Sequence, residues 1–413
     1  MPKFELTRTN DAMRFLFYSH DGLGLGHTRR HVAIASALVG RSNEANLLIA
    51  TGADDINRLG PPPSVEVLKL PSLRKMANEQ YGSRRLRLPA EEIRHLRSAL
   101  LLATVEAFRP DVVLVDKHPF GAGGEFADAL KAARRRGART VLGLRDILDN
   151  RETVLAEWAP HRLQERIAEF YDRVLVYGQQ AVFDPIAEYG LPPEVVARTR
   201  FCGYVVNSRK LSPLPCGAWA EFDLEERSRP IVLATAGGGE DGFHLMQHFI
   251  RAVGTSPWRG IAVVGPQFPD HELATLNQLA RGTRVSVHTF VPNLPQLLHC
   301  VDALVCMGGY NTLAEAAAIG VPTVCVPRVR PREEQLIRAR AFERVGLLTA
   351  LPPADLTPAR LATAITGALA TSRDELLRCS HETLSFDGAA NAVAQLLELA
   401  ARPAASAPLE SVA

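Results

Sequence analysis

The chain has 413 residues, of which 46% are hydrophobic and 22% charged, and this composition excludes intrinsically disordered and collagen-like proteins. Lys and Arg number 47 against 45 Asp and Glu, a near balance that argues against nucleic-acid binding driven by bulk charge. Because a single hydrophobic core stops growing at about 250–300 residues, the length predicts two domains of about 200 residues each.

The six cysteines are scattered without a C-x-x-C pair, and most lie in apolar runs. This distribution is typical of buried thiols in a reducing compartment. The N-terminal residues contain only a short apolar run, and no run approaches the roughly 18 residues of a membrane span. We therefore expect a cytoplasmic protein.

In the first half of the chain, short aliphatic runs alternate with helical patterns, which predicts a parallel sheet with helices on both faces. The predicted strands are RFLFYS from Arg14, NLLIAT from Asn46, DVVLVD from Asp111, TVLGLR from Thr140 and RVLVYG from Arg173. Residues 90–108 carry apolar side chains at helical spacing and are predicted to form a helix. Arg94 and Arg97 fall outside its apolar stripe, so we expect them to face solvent.

The second half repeats this plan. Its predicted strands are PIVLATA from Pro230, IAVVGP from Ile261, RVSVHTF from Arg284, DALVCM from Asp302 and PTVCVP from Pro322. The pattern predicts an α/β protein with two Rossmann-like, doubly wound domains facing across a cleft, at residues 1–206 and 230–400. Residues 207–229, rich in Pro, Ser and charge, are interpreted as a linker, and residues 401–413 as a flexible tail.

The first predicted strand leads into the glycine-rich turn GLGLGH. Gly24 and Gly26 permit close backbone approach, and the N-terminus of the following helix offers N–H groups to an anion. A dinucleotide fingerprint requires a third glycine where His27 stands, which disfavours a nicotinamide cofactor. A tight turn without a ligand is the alternative interpretation.

A second glycine turn follows the strand that begins at Pro230. Gly237, Gly238 and Gly239 would present consecutive N–H groups to a phosphate.

A third glycine turn follows the strand that begins at Asp302. Gly308 and Gly309 precede a helix that Asn311 or Thr312 can cap, so its N-terminus is a candidate anion site. Glu315, one turn into this helix, has a carboxylate that can accept hydrogen bonds from a ribose diol. A solvated helix face is the alternative for Glu315, and the small apolar residues around it make that alternative weaker.

Glu334 and Gln335 stand at the start of the next predicted helix. Acceptor and amide groups side by side suit a polyhydroxylated ligand, whereas the alternative is an acidic helix N-terminus without a ligand.

These motifs, in this order, resemble the glycosyltransferases of the GT-B fold, and in particular the group that contains the bacterial lipid II-forming N-acetylglucosaminyltransferase. The resemblance spans nearly the whole chain and is most specific between residues 301 and 346. It implies that the second domain binds a nucleotide-diphosphate sugar, with uridine as the expected base, and that the first domain binds the acceptor.

The resemblance also implies a role for each donor-site residue. The segment GGYNTLAEAAAIGVP matches the family's donor signature and places the diphosphate at Gly308 to Thr312 and the ribose at Glu315. The segment TFVPNL matches the stretch that pairs with the base, which makes Phe290 and Val291 base contacts. By the same resemblance, Glu334 and Gln335 hold hydroxyls of the sugar. The glycine loop that approaches the diphosphate is Gly237, Gly238 and Gly239.

On the acceptor side, GLGLGH resembles the family's GGTGGH loop, with His27 on its histidine. His27 would then take the proton of the acceptor hydroxyl, and Asp116, at a strand end, would orient it. The segment DKHPFGAGGEF resembles the second glycine loop of the lipid enzyme, and its His118 is an alternative base. We find no D-x-D pair, so neither a metal nor any cofactor beyond the donor is expected, and the family implies transfer with inversion.

Residues 71–97 hold seven basic residues against three acidic ones. Arg84 and Arg85 in this stretch are candidates for docking an anionic acceptor or a membrane surface, and a solvated arginine-rich loop is the alternative.

The expected function is therefore a metal-independent, inverting glycosyltransferase, as a monomer or a homodimer. The alternatives are a nucleotide-sugar epimerase or hydrolase, for which His118, Asp146 and Glu240 are candidate acid/base groups, and a non-catalytic sensor of nucleotide sugars.

Overall fold

The protein is described by a computed structural model that covers residues 12–20, 26–54, 56–77, 80–214, 219, 222, 224, 228–254 and 256–401. Two parallel sheets, one in each half of the chain, form its framework. None of the helices in this part of the chain combines the length and apolar character needed to cross a membrane.

The first sheet has seven parallel strands in the order β3-β2-β1-β6-β7-β8-β9. Its strands are β1 (Arg14–Ser19), β2 (Asn46–Thr51), β3 (Val65–Lys69), β6 (Val112–Asp116), β7 (Arg139–Arg145), β8 (Arg173–Tyr177) and β9 (Thr199–Phe201). A separate antiparallel hairpin is formed by β4 (Leu73–Ala77) and β5 (Gln80–Ser83). The central strands carry buried side chains on both faces, which explains their continuous apolar sequences.

Helices connect these strands. They are α1 (Gly26–Arg41), α2 (Ala90–Phe108), α3 (Ala127–Arg135), α4 (Arg151–Trp158), α5 (Leu163–Phe170), α6 (Pro185–Tyr189), α7 (Pro193–Arg198) and α8 (Ser208–Leu211). The helix predicted over residues 90–108 is α2, with the predicted bounds.

The second sheet has six parallel strands in the order β12-β11-β10-β13-β14-β15. Its strands are β10 (Ile231–Thr235), β11 (Arg259–Val263), β12 (Val285–His288), β13 (Ala303–Cys306), β14 (Thr323–Cys325) and β15 (Thr349–Ala350). The helices of this half are α9 (Phe243–Gly254), α10 (Asp270–Ala280), α11 (Leu294–Leu297), α12 (Tyr310–Ile319), α13 (Glu334–Arg344), α14 (Pro358–Leu369), α15 (Arg373–Thr383) and α16 (Gly388–Ala400). The predicted α/β architecture with two doubly wound, Rossmann-like sheets is confirmed.

Arg97 is not on the solvent-facing side of α2, and the expectation for this residue is wrong. Its guanidinium is fully buried and donates from Nε and Nη2 to the two carboxylate oxygens of Glu125, at 2.6 Å each. The Tyr18 hydroxyl donates to the same carboxylate at 2.5 Å. The buried charge is therefore matched by a carboxylate 28 positions later in the chain, which helical periodicity cannot reveal.

The end of the chain returns to the first sheet. Helix α16 lies in the predicted second domain by sequence, yet it packs against α1 and contacts β6 and β7. Beside it, Val205 and Asp387 form an isolated antiparallel bridge, and the N–H of Gly388 donates to the Tyr204 carbonyl at 3.2 Å. The predicted limit of 400 therefore assigns to the second domain a helix that packs on the first.

The segment predicted to link the domains is packed where the structure describes it. The Trp219, Phe222 and Leu224 side chains are buried, and Phe222 lies edge-on against the His288 ring. Of the predicted tail, only Ala401 lies within the described residues.

Candidate active site

A cavity of about 330 Å³ lies between the two sheets, at the carboxyl ends of their strands. The first half of the chain contributes the start of α1, and the second half contributes the loops after β10, β11, β12 and β13. In doubly wound folds this edge is where ligands bind. The predicted site residues that line the cavity are Gly26, His27, Gly237, Gly238, Phe290, Val291, Gly309, Asn311 and Thr312.

His27, in the first turn of α1, is held by Asp116 at the end of β6. Its Nδ1 lies 2.8 Å from Asp116 Oδ1, and its side chain is 13% exposed, whereas Asp116 is fully buried. Although burial acts to raise the pKa of the Asp116 carboxyl, Arg30 and His27 outweigh it and hold that pKa far below its ordinary value. Asp116 is therefore an anion that can orient the imidazole.

Arg30 is a third member of this group, and the sequence patterns gave no indication of it. The guanidinium donates from Nε to Asp116 Oδ2 at 3.1 Å and from Nη2 to Asp116 Oδ1 at 2.8 Å. Nη2 also lies 2.6 Å from His27 Nδ1. Because Arg30 and His27 are three positions apart in α1, both face β6.

The two glycines of the turn before α12 differ in whether the fold requires glycine at their position. Gly308 has a φ of +83°, and a Cβ there would lie 3.0 Å from Cys325 Sγ, so the fold itself requires glycine. Gly309 is the N-cap of α12 with a φ of −63°, and a Cβ there would meet no atom within 4 Å. Gly309 thus leaves open space on the cavity side of the helix N-terminus.

The glycine turn after β10 shows the same division. Gly239 has a φ of +105°, and a Cβ there would lie 2.8 Å from the Val264 carbonyl oxygen. Gly237 and Gly238 are exposed and line the cavity, whereas Gly239 is buried and does not.

Phe290 and Val291 lie at the end of the cavity formed after β12. Val291 is buried, whereas Phe290 is 39% exposed, and the Arg58 guanidinium stacks over its ring at 5.3 Å from the centroid. Arg58 comes from the first half of the chain, so the Phe290 ring is covered from across the cleft.

Glu315 is 7% exposed, and its carboxylate pairs with Arg29 of α1 at 2.5 Å. Nearby, Nδ2 of Asn311 donates to the Gly26 carbonyl at 3.4 Å. These contacts join the starts of α1 and α12 across the cleft. Glu315, which is predicted to bind the ribose, is already paired with a cation in this structure.

Glu334 and Gln335 are both bound by Arg328. The Arg328 guanidinium donates to Glu334 Oε1 at 2.8 Å, and its backbone N–H donates to Gln335 Oε1 at 3.0 Å. Oε2 of Glu334 is buried without a hydrogen-bond partner among the described residues. Burial acts to raise the pKa of Glu334, but Arg145, Arg328 and Arg338 outweigh it and lower that pKa. Oε2 of Glu334 is thus available to accept a hydrogen bond from a ligand.

A second cavity, of about 500 Å³, contains His118 and the glycine loop predicted on the acceptor side. Phe120 and Trp158 are among its apolar walls, and Lys117, Arg166 and Arg332 add positive charge. Burial lowers the pKa of His118 well below its ordinary value, so its imidazole is neutral at pH 7.

His20, at the end of β1, lies between the two candidate bases. Its ring centroid is 5.2 Å from that of His27 and 4.3 Å from that of His118. Burial also lowers the pKa of His20 well below its ordinary value. A row of three imidazoles therefore runs from one cavity to the other, a feature with no signal in the sequence.

Several predicted site residues lie elsewhere. Arg84 and Arg85 pair with Asp54, at 2.9 and 3.2 Å, and line neither of these cavities. Asp146 is buried in an ion pair with Arg338 of α13 at 2.8 Å, and Glu240 is exposed. Gly24 lies outside the described residues. Within the described ranges, no cluster of three His, Cys, Asp or Glu side chains is arranged to hold a metal ion.

Part of the second half matches a known domain family. Residues 260–396 match the glycosyltransferase family 28 C-terminal domain. The UDP-N-acetylglucosamine--N-acetylmuramyl-(pentapeptide) pyrophosphoryl-undecaprenol N-acetylglucosamine transferase of Sorangium cellulosum is 29% identical over 45% of this chain and 48% of its own length. The enzyme of the same name from Lactiplantibacillus plantarum is 22% identical over 71% of this chain and 75% of its own length. The chain spans about half the length of several of the curated relatives that it matches.

Solved structures match over nearly the whole chain. The calicheamicin glycosyltransferase CalG4 has a TM-score of 0.62 at 19% identity, covering 97% of this chain and all of that one. MurG of Acinetobacter baumannii has a TM-score of 0.61 at 15% identity, covering 94% of this chain and 99% of that one. Residues 260–396 are therefore similar to the glycosyltransferase family 28 C-terminal domain, the chain has the two-domain GT-B fold, and the resemblance to the glycosyltransferases related to the lipid II-forming enzyme is confirmed.

Proposed function

We propose that the chain is a glycosyltransferase that moves a sugar from a nucleotide-diphosphate donor, expected to be a uridine one, to a hydroxyl of an acceptor. The observation that carries the proposal is that His27 lines the same cavity as Gly309, Asn311 and Thr312 at the start of α12. One wall thus offers a proton acceptor, and the opposite wall offers helix N–H groups to a diphosphate.

The proposed reaction is a single displacement with inversion and without a metal. The acceptor oxygen attacks the anomeric carbon while its proton passes to the imidazole of His27. The bond between that carbon and the diphosphate oxygen breaks, and the electron pair stays on the diphosphate. Glycine-loop amides and the N-terminus of α12 stabilise the charge that develops there. Asp116 stabilises the imidazolium that forms.

Donor binding would use the residues that the resemblance assigns to each part of the ligand. Phe290 and Val291 would contact the base, and Glu315 the ribose after Arg29 has moved from its carboxylate. The unpartnered Oε2 supports Glu334 as a ligand for a sugar hydroxyl.

Acceptor binding is proposed for the first half of the chain, at Gly26, His118 and the arginine-rich segment around Arg84 and Arg85. Peripheral membrane contact by this segment is supported by Leu86, Leu88 and Leu96, which are 47%, 37% and 38% exposed. The five described cysteines are free thiols, in keeping with the cytoplasmic location that we propose.

A thermal-shift panel of UDP-, GDP- and dTDP-sugars tests donor binding. We expect stabilisation by a UDP-sugar, amounting to about 2.7 kcal/mol at a hundredfold excess over Kd, and the same shift in the presence of EDTA. Donor consumption is then measured with and without cell extract as the acceptor source. Turnover that needs the extract supports a transferase, whereas turnover without it indicates a hydrolase or an epimerase. The absence of a shift with every nucleotide would overturn the proposal.

A further inference from the structure

Three arginines lie near one another where the two halves of the chain face each other, and their charges are matched differently. Arg30 is bound by Asp116, and Arg338 by Asp146, in ion pairs that are buried on both sides. Arg145, the last residue of β7, forms no such ion pair with any residue that the structure describes. Its Nε is buried and receives no hydrogen-bond acceptor from any described residue.

The two carboxylates that act to raise the pKa of Arg145 are each already paired with another arginine. Glu334 and Asp146 act to raise its pKa, but Glu334 is bound to Arg328, and Asp146 is bound to Arg338. Burial outweighs them, with Arg338 and Arg30 acting in the same direction, and lowers the pKa of Arg145 to about 10. The guanidinium is still charged at pH 7, and within the described residues this partly buried cation has no ion pair of its own.

Arg145 lines the 330 Å³ cavity together with the first turns of α1 and α12. Both helices are long enough to develop a positive N-terminal end, with 16 and 10 residues. Arg29 and Arg58 line the same cavity. The walls therefore combine helix N-termini with cations, and the carboxylate of Glu315 beside them is neutralised by Arg29.

We propose that Arg145 is a catalytic residue that binds the diphosphate of the donor from the acceptor-side half of the chain and stabilises it as it leaves. This inference rests on the proposed function. When the bond between the anomeric carbon and the diphosphate oxygen breaks, the electron pair stays on that oxygen, and the guanidinium neutralises the added charge without losing a proton. A planar guanidinium can donate two parallel hydrogen bonds to a phosphate, which an ammonium group cannot.

The assignment makes the diphosphate site a composite of both halves of the chain. The glycine turns at Gly237 and Gly309 belong to the second half, and Arg145 belongs to the first. Leaving-group stabilisation is then complete only when the two halves face each other as they do in this structure. A donor bound to the second half alone would be held but not activated.

The test is a series of binding measurements with uridine, UMP and UDP on the wild-type chain and on Arg145→Gln, Arg145→Lys and Arg360→Gln. Isothermal titration calorimetry gives each Kd. For Arg145→Gln we expect UDP affinity to fall by about 10- to 100-fold, whereas uridine affinity changes by less than about threefold. Arg145→Lys should fall between the wild type and Arg145→Gln. Arg360→Gln is the matched control, since Arg360 is exposed, pairs with Asp355 and lines neither cavity.

Thermal unfolding of the same variants separates ligand binding from a structural role. Removal of an unmatched, partly buried cation should leave the free energy of unfolding unchanged or raise it. Failure of both Arg145 variants to fold would therefore overturn the inference. With a transferable acceptor, kcat should fall in Arg145→Gln more than KM rises.

The outcomes distinguish the two proposals. If the wild-type chain binds none of the three ligands, the proposed function fails. If the wild type binds UDP and Arg145→Gln binds it within about threefold, only the role of Arg145 fails. Equal losses for uridine and UDP would also overturn that role, because they would place Arg145 on the nucleoside.

Discussion

Nη2 of Arg30 lies 2.6 Å from Nδ1 of His27, so a single guanidinium reaches both members of the His27–Asp116 pair. Nδ1 can donate its hydrogen to Asp116 or accept one from Arg30, but it cannot do both. Only the first arrangement leaves Nε2 unprotonated and able to take a proton from an acceptor. Asp116 thus favours the tautomer of His27 that carries its hydrogen on Nδ1, whereas Arg30 favours the tautomer that carries it on Nε2.

Replacing Arg30 should change the pH dependence of the reaction. In Arg30→Gln the cation beside His27 is lost and Asp116 remains, so the protonated imidazole is favoured. The other titratable groups near this pair include His20, His31, His118 and Tyr177, and burial keeps all four uncharged at pH 7. We expect the acid limb of kcat/KM to move to higher pH, with a larger loss at about pH 6 than at about pH 8.5. Arg30→Lys, which keeps the charge, is the control, and identical profiles for the two variants would contradict this role.

Removal of His27 should slow transfer strongly and leave donor binding nearly unchanged. His27→Ala is expected to lower kcat by roughly 10²- to 10⁴-fold, because the acceptor hydroxyl loses its proton acceptor, and UDP affinity should be nearly unchanged. His118→Ala should have a smaller effect on kcat. His248→Ala, at a half-buried position of α9 that lines neither cavity, serves as the control. A larger loss in His118→Ala than in His27→Ala would assign the base to the second cavity.

Two adjacent glycines give a matched pair for the diphosphate site. Gly309→Ala should leave the free energy of unfolding within about 0.5 kcal/mol of wild type, because its backbone is unstrained and its Cβ meets nothing. The added methyl group lies at the N-terminus of α12, so UDP binding should weaken by about tenfold, or 1.4 kcal/mol.

Gly308→Ala is the contrasting variant of that pair. A positive φ and the contact with Cys325 should reduce its free energy of unfolding by about 1–3 kcal/mol. Urea unfolding and calorimetry measure both variants. An unchanged UDP affinity in Gly309→Ala would show that the diphosphate does not bind at this helix end.

His31 makes the stability of the first domain sensitive to acid. Burial lowers its pKa to about 4, and neither ring nitrogen has a hydrogen-bond partner among the described residues. As the pH falls, His31 is therefore protonated near pH 6.5 in the unfolded chain but only near pH 4 in the folded chain. Below pH 6.5 the free energy of unfolding should decline, by up to about 3 kcal/mol at pH 4.

A leucine at this position would remove the titration. His31→Leu should show a flatter dependence on pH between these limits, as measured by urea unfolding at several pH values. The His31 ring packs against Phe17, so an apolar side chain suits the site. Parallel pH profiles for the variant and the wild type would show that another group is responsible.

The sequence predicts most clearly the strands whose side chains are nearly all buried. The strand Arg14–Ser19 is buried at every residue after the first, so its apolar run marks it within a residue or two. The strands at Val65–Lys69 and Thr199–Phe201 have no such signal, because they lie at the edges of the first sheet and most of their side chains are half-buried or exposed.

The site divides in a similar way. Glycine turns and His27 carry a local signal, since a strand, a turn and a helix follow one another in the chain. Arg30 and Arg145 carry none, because their surroundings are made by residues distant in sequence, such as Asp116, which is 86 positions from Arg30. No pattern within one segment distinguishes such an arginine from one on the surface.

The bridge between Val205 and Asp387 marks two places, side by side, where the polypeptide passes between the domains. A hinge of two tethered strands permits rotation about the line that joins them but resists twisting and sliding. If the cleft opens, we expect a clamshell-like rotation, which would return His27 and the start of α12 to the same alignment at every closure. Deletion of α16 would leave a single tether and remove that guidance.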